Sequence, residues 1–151
     1  MMYMDFKRKL PIPMETKEMY PLTGDMAETV ERTVTELKAI FSGNSDKLAL
    51  IIGPCSADNE ESVIDYISRL MPLREQVKDK ILIVPRHYTN KPRTTGEGYK
   101  GLVHQPDPNA QPDLFKGIIA TRELHMRAVK MEFIVFADEM LYPENHKYLD
   151  D

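Results

Sequence analysis

The 151-residue chain is 42% hydrophobic and 29% charged, with a formal net charge of −4, one Cys and no Trp. That balance fits one globular domain with a core and excludes an intrinsically disordered chain. It also excludes a globally basic binder that tracks nucleic-acid phosphates, and no apolar run approaches the roughly 20 residues that span a bilayer. Met1 to Met14 mixes Asp5, Lys7, Arg8 and Lys9 with scattered apolar residues, without the continuous apolar segment of a secretory signal. A single Cys cannot form an internal disulfide, so a reducing cytoplasm is the expected compartment.

Residues 1–24 read as an irregular arm, because Pro11, Pro13 and Pro21 remove amide donors and bias the preceding residues away from helix. Asp25 is the expected N-cap of a helix over 25–42, with Glu28 three residues on and Gly43 as its stop. Its apolar stripe, Met26, Val30, Val34, Leu37 and Phe41, reads as packing. The run Leu48-Ala49-Leu50-Ile51-Ile52, closed by Gly53-Pro54, predicts a strand over 48–52 buried on both faces. A helix from Asn59 to Val77 follows, with Pro72 expected to kink or interrupt it. Ile81-Leu82-Ile83-Val84 predicts a strand over 81–85, and a polar loop runs from Thr89 to Pro112. Pro112-Asp113 opens a helix to Lys130, a strand is expected over 133–137, and Pro143-Glu144 opens another helix. Residues 1–46 thus form an N-terminal extension and residues 47–151 a βα series. The alternation predicts an α/β fold of parallel strands joined by right-handed helical crossovers.

In such folds ligands bind at the carboxyl ends of the strands. The first predicted strand runs into Gly53-Pro54-Cys55-Ser56, the second into Pro85-Arg86-His87-Tyr88, and the third into Ala137-Asp138-Glu139-Met140. Thiol, cations and carboxylate would then share one rim. Arg86, Lys91, Arg93 and Lys100 are opposed locally only by Glu97, in a chain that is acidic overall. That pattern suits an anionic small molecule, held by the planar Arg fork and the Lys point charge. Thr94 and Thr95 add hydroxyl donors. A solvated loop with ordinary surface charge is the competing reading. Cys55 reads either as a small apolar side chain or as a metal ligand, and Glu139 either as a group that orients substrate or water or as a cap on a strand end. His87 and His104 have no ligand spacing to Cys55, and Tyr88 and Tyr99 receive no role.

Together these motifs resemble the type I 3-deoxy-D-arabino-heptulosonate 7-phosphate (DAHP) synthases, also called phospho-2-dehydro-3-deoxyheptonate aldolases. The resemblance runs from about Leu48 to Asp151. It rests on Gly53-Pro54-Cys55-Ser56, Arg86, Lys91-Pro92-Arg93-Thr94-Thr95, Gly98-Tyr99-Lys100-Gly101-Leu102 and Glu139-Met140-Leu141. The Lys-Pro-Arg-Thr string is fairly specific and helps to separate the family from the related octulosonate synthases. The helix over 25–42 is similar to part of the extension that precedes the barrel.

The resemblance implies condensation of phosphoenolpyruvate with erythrose 4-phosphate, releasing phosphate, at the entry to aromatic amino-acid biosynthesis. It also implies a divalent metal (Mn, Fe, Co or Zn) on a (β/α)8 barrel, with Cys55 as one ligand. Arg86 and Lys91 would hold phosphoenolpyruvate, Lys91 near the reacting atoms. Arg93 and Thr94 would grip the sugar phosphate, and Lys100 and Glu139 would line the pocket. Such a barrel needs about 250 residues, so the sequence is expected to hold the arm and the first three βα units of a truncated barrel. The remaining metal ligands (a His, a Glu and an Asp) and further basic residues around phosphoenolpyruvate lie on later strands. By itself the chain is therefore expected to be an incomplete catalyst. The alternatives are a non-catalytic fragment, or a regulatory or complementing subunit that joins a full-length synthase chain or an oligomer of its own kind.

Overall fold

The proline-rich arm contains a helix. The computed structural model describes residues 8–91, 93–134, 136, 137, 147 and 148, and within them α1 spans Pro13–Met19. Pro13 sits in its first turn, where a missing N–H costs no ladder bond, and the Glu15 carboxylate accepts the Ile12 amide at 2.9 Å. The irregular arm expected from the prolines is thus interrupted by a helix, with Pro11 and Pro13 at its start and Pro21 just past its end. Helix α2 spans Gly24–Phe41 with Thr23, in extended conformation, at its N-cap. Asp25 is not the cap. It lies in the first turn, where its carboxylate complements the positive end of the helix dipole.

Strands β1 (Leu48–Ile52), β2 (Ile81–His87) and β3 (Phe136–Ala137) form a parallel sheet in the order β1-β2-β3. Leu48 pairs with Ile81 and Ile52 with Pro85, while Arg86 and His87 pair with Phe136 and Ala137. Central β2 is the buried strand, with Ile83, Val84 and His87 nearly inaccessible. The expectation that β1 is buried on both faces is corrected: Leu48 is 69% exposed, Leu50 39% and Ile51 43%. The cause is topological, since β1 is the edge of the sheet and no described strand lies beyond it.

Helix α3 (Glu60–Val77) carries Asn59 as N-cap, whose Oδ1 accepts the Ser62 amide at 2.9 Å. Pro72 lies within a continuous helix and does not interrupt it. It removes one ladder donor, but Leu70 and Met71 before it and Val77 after it pack into the core and hold both halves to the sheet. Helix α4 (Leu114–Lys130) is capped by Asp113, which accepts the Lys116 amide at 3.1 Å. Replacing Asp113 by Ala is expected to lower stability by about 1 kcal/mol, read by denaturant unfolding, whereas Asn keeps most of it.

The third strand is shorter than the sequence suggested. Glu132 turns the chain with φ 60°, and the Phe133 amide returns to the Ala128 carbonyl at 3.1 Å. Phe133 thereby enters the core and does not join a ladder. The helix expected from Pro143 begins outside the described residues. The main core joins Ala57, Val63, Ile67, Leu70, Ile83, Leu102, Leu124, Ala128 and Phe133. A second cluster, Met26, Met126 and Val129, docks α2 on α4. Among the described residues no helix is long and apolar enough to cross a membrane.

Candidate anion site at the strand ends

Parallel register puts the carboxyl ends of β1 and β2 side by side, and Gly53 makes the join close. A Cβ at Gly53 would lie 2.0 Å from the Arg86 carbonyl oxygen. Beyond this point the chains stay linked, because the Ala57 amide donates to the Tyr88 carbonyl at 3.0 Å. Cys55 and Lys91, separated by 36 residues in sequence, meet here. Lys91 Nζ donates to Cys55 Sγ at 3.5 Å, with the thiol exposed and the lysine half-buried.

Arg86 and Tyr88 are two residues apart at the end of an extended segment, which places their side chains on one face. The Arg86 guanidinium carbon lies 4.5 Å from the centroid of the Tyr88 ring, and Lys91 Nζ lies 5.1 Å from it. Arg86, Tyr88, Lys91 and Cys55 therefore form one cluster. Tyr88, to which the sequence reading gave no role, is at its centre. The alternation of Arg86 and Tyr88 at a strand end was the signal available for it.

The remaining cations sit on the following loop. The Lys91 amide donates to the Lys100 carbonyl at 2.9 Å, and Arg93 Nε donates to the Tyr99 carbonyl at 2.9 Å. Gly101 takes φ 94° beneath this loop, where a Cβ would stand 2.4 Å from the Thr89 carbonyl oxygen. The Tyr99 hydroxyl donates to the Ala57 carbonyl at 3.4 Å, and burial with the nearby Asp58 carboxylate pushes its phenol up to about 12. Tyr99 thus fastens the cationic loop to the segment that carries Cys55. Thr94 lies in an exposed turn whose Gly96 amide closes on the Arg93 carbonyl, and the Lys100 side chain is exposed. Glu139 lies outside the described residues, and so does Pro92.

His87 points the other way. It is fully buried, its ring 5.2 Å from that of His125 on α4, and none of His87 Nδ1, His87 Nε2 or His125 Nε2 has a hydrogen-bond partner among the described residues. Burial lowers the pKa of both, with His125 adding to the effect on His87 and Arg122 to that on His125, which falls to about 4. The folded protein therefore keeps both rings neutral where the unfolded chain takes up protons. Stability is fully present above about pH 6.5 and is lost as pH falls towards 4, by up to about 1.4 kcal/mol per pH unit for each ring. Urea unfolding between pH 7.5 and 4.5 should show this slope, and His125→Leu should flatten it.

A divalent metal fits these residues only in part. Cys55 offers one soft donor, and no group of three His, Cys, Asp or Glu side chains is gathered among the described residues. One thiolate does not make a metal centre, so no chemical step is derived through a metal. A separate cavity of about 380 Å³ lies at the opposite, amino end of the strands, lined by Ile81, Leu82 and Ile83 together with Lys47, Arg74 and Lys78. Each of these three cations is paired with a carboxylate, at 2.6 Å for Lys47–Glu36, 3.1 Å for Arg74–Glu132 and 2.8 Å for Lys78–Glu75. It is a salt-bridged crevice and is remote from the cluster.

Comparison with known proteins converges on one family. The model of the DAHP synthetase I family matches residues 20–149. The phospho-2-dehydro-3-deoxyheptonate aldolase of Corynebacterium glutamicum is 35% identical over 143 residues, covering 95% of this chain and 38% of that protein. The Phe-sensitive aldolase of Escherichia coli K12 is 38% identical over 120 residues, covering 80% of this chain and 34% of that protein. The solved phospho-2-dehydro-3-deoxyheptonate aldolase of Francisella tularensis superposes with a TM-score of 0.90 at 28% identity, over 97% of this chain and 42% of that one. The chain thus spans roughly two-fifths of the length of these relatives, and that stretch includes the strand ends where Cys55 meets Lys91. With a family match over most of its length and the same fold, the chain belongs to the DAHP synthetase I family.

Proposed function

We propose that this chain supplies the phosphoenolpyruvate-binding side of a DAHP synthase, which condenses phosphoenolpyruvate with erythrose 4-phosphate and releases phosphate. The observation that carries this reading is the convergence of Cys55 Sγ and Lys91 Nζ to 3.5 Å, beside Arg86, at the carboxyl end of a parallel sheet. Both substrates are multiply charged anions that repel one another, and a dense cationic pocket offsets that repulsion and brings them together. Arg86 provides a fork for carboxylate or phosphate, and Lys91 a mobile ammonium near the reacting atoms. Arg93 and Thr94 take the phosphate of the sugar, while Lys100 and Glu139 line the same pocket. Cys55 serves as one ligand of a divalent metal.

Residues 1–46 act as an extension and residues 47–151 as the first three βα units of a (β/α)8 barrel. The exposed edge of β1 supports this, because an apolar parallel edge calls for a further strand. Catalysis then belongs to the closed barrel, with the rest of the pocket on strands beyond those described here, in this polypeptide, in an oligomer or in a complementing synthase chain. A site in the reducing cytoplasm suits an exposed, free thiol.

The test is complementation. The 151-residue chain and a fragment of the Corynebacterium relative carrying its later strands are each assayed alone and mixed, with manganese and both substrates. Loss of phosphoenolpyruvate and appearance of the heptulosonate phosphate are expected only in the mixture. Binding of neither substrate, alone or mixed, would refute the reading.

A further inference from the structure

The Tyr88 ring lies within cation–π range of two cations at once, 4.5 Å from the Arg86 guanidinium carbon and 5.1 Å from Lys91 Nζ. Arg86 and Lys91 repel each other, so an anion site built from them loses affinity if they spread apart between binding events. An electron-rich ring face attracts both and holds them in place without neutralising either. The backbone that carries the ring is tied down: the Tyr88 carbonyl accepts the Ala57 amide at 3.0 Å, and the Ala57 carbonyl accepts the Tyr99 hydroxyl at 3.4 Å. Tyr88 is therefore anchored through the segment that carries Cys55.

We propose that Tyr88 is a positioning residue whose ring face preassembles Arg86 and Lys91 as a paired clamp for a ligand carrying two anionic groups, one for each cation. The identity of that ligand as phosphoenolpyruvate rests on the proposed function, whereas the geometry of the clamp does not. Preassembly removes the ordering of two long side chains from the cost of binding. It needs the π face and not the hydroxyl, so Phe should replace Tyr88 and a ring of reversed quadrupole should not.

The experiment compares the 151-residue chain with Tyr88→Phe, Tyr88→Leu and a variant carrying pentafluorophenylalanine at position 88, which keeps the ring shape and so guards against a folding defect. Two readouts are taken. Lysine labelled at Cε gives the Lys91 Hε resonances, assigned by their loss in Lys91→Arg. Titration calorimetry gives affinities for phosphoenolpyruvate and inorganic pyrophosphate. The expected result is an upfield ring-current shift of Lys91 in the wild type and Tyr88→Phe, absent in Tyr88→Leu. Anion affinity should change less than about twofold with Phe and fall roughly five- to thirtyfold with Leu and with the fluorinated ring. A wild type without the shift, a fluorinated ring that binds as tightly as Phe, or a wild type that binds neither anion would overturn the clamp. Loss of pyrophosphate affinity with both Leu and the fluorinated ring, with phosphoenolpyruvate ignored throughout, would uphold the clamp and refute the substrate assignment.

Discussion

Lys91→Met should lower affinity for phosphoenolpyruvate by about ten- to a hundredfold while leaving the unfolding midpoint close to that of the wild type. A charge-assisted hydrogen bond contributes about 1.5–3 kcal/mol, which corresponds to that range. Met keeps the length and apolar stem of lysine and deletes only the ammonium, so the change isolates the charge. The side chain is half-buried at the rim and not in the core, so its loss leaves no large cavity. Lys91→Arg keeps a charge but replaces a point donor with a fork, and should recover only part of the affinity. Calorimetric titration with phosphoenolpyruvate, beside denaturant unfolding of the same samples, separates the two effects. Equal losses of affinity and stability would place Lys91 in the fold and not in the site.

Gly53→Ala is expected to damage fold and site together. The added Cβ would stand 2.0 Å from the Arg86 carbonyl oxygen and 2.9 Å from its carbon, both backbone atoms that cannot rotate away. Relief requires the ends of β1 and β2 to part, at a cost of about 3 kcal/mol, the upper part of the usual range for overpacking. The same movement would carry Cys55 away from Lys91. Unfolding in urea should show the loss of stability, and phosphoenolpyruvate affinity should fall as well. A variant of unchanged stability would mean that the strand ends do not meet this closely. Surface changes such as Arg69→Ala, which removes an exposed ion pair at 2.9 Å with Asp65, should do almost nothing by comparison.

The parallel α/β order was legible because unbroken apolar runs alternate with amphipathic stretches, and the rim was legible because Gly-Pro-Cys and Pro-Arg-His-Tyr each follow such a run. What sequence could not supply was context. Leu48, Leu50 and Ile51 look like interior residues, yet their burial depends on a neighbour beyond the edge of β1 and not on their own chemistry. A proline breaks a helix in its interior but starts one at its first turn, as Pro13 does, and composition alone does not say which applies. Thr23 and Asp25 are both competent caps, and only the backbone conformation at Thr23 selects between them. Phe133 has the composition of a strand residue, but the left-handed turn at Glu132 sends it into the core. Tyr88 receives no role from sequence because its alternation with Arg86 has meaning only if the strand runs on past Pro85, as β2 does to His87. Its place between two cations emerges only once β2 fixes the face on which Arg86 and Tyr88 lie.

The presence of one Cys in the whole chain makes the decisive measurement simple. Iodoacetamide modifies only Cys55 among cysteines, and its rate can be followed by mass spectrometry with and without saturating phosphoenolpyruvate, in wild type and in Lys91→Met. If thiol and ammonium border the same anion site, the ligand should slow alkylation several-fold in the wild type and have little effect in Lys91→Met. An alkylation rate in the wild type that saturating phosphoenolpyruvate leaves unchanged would contradict a shared site.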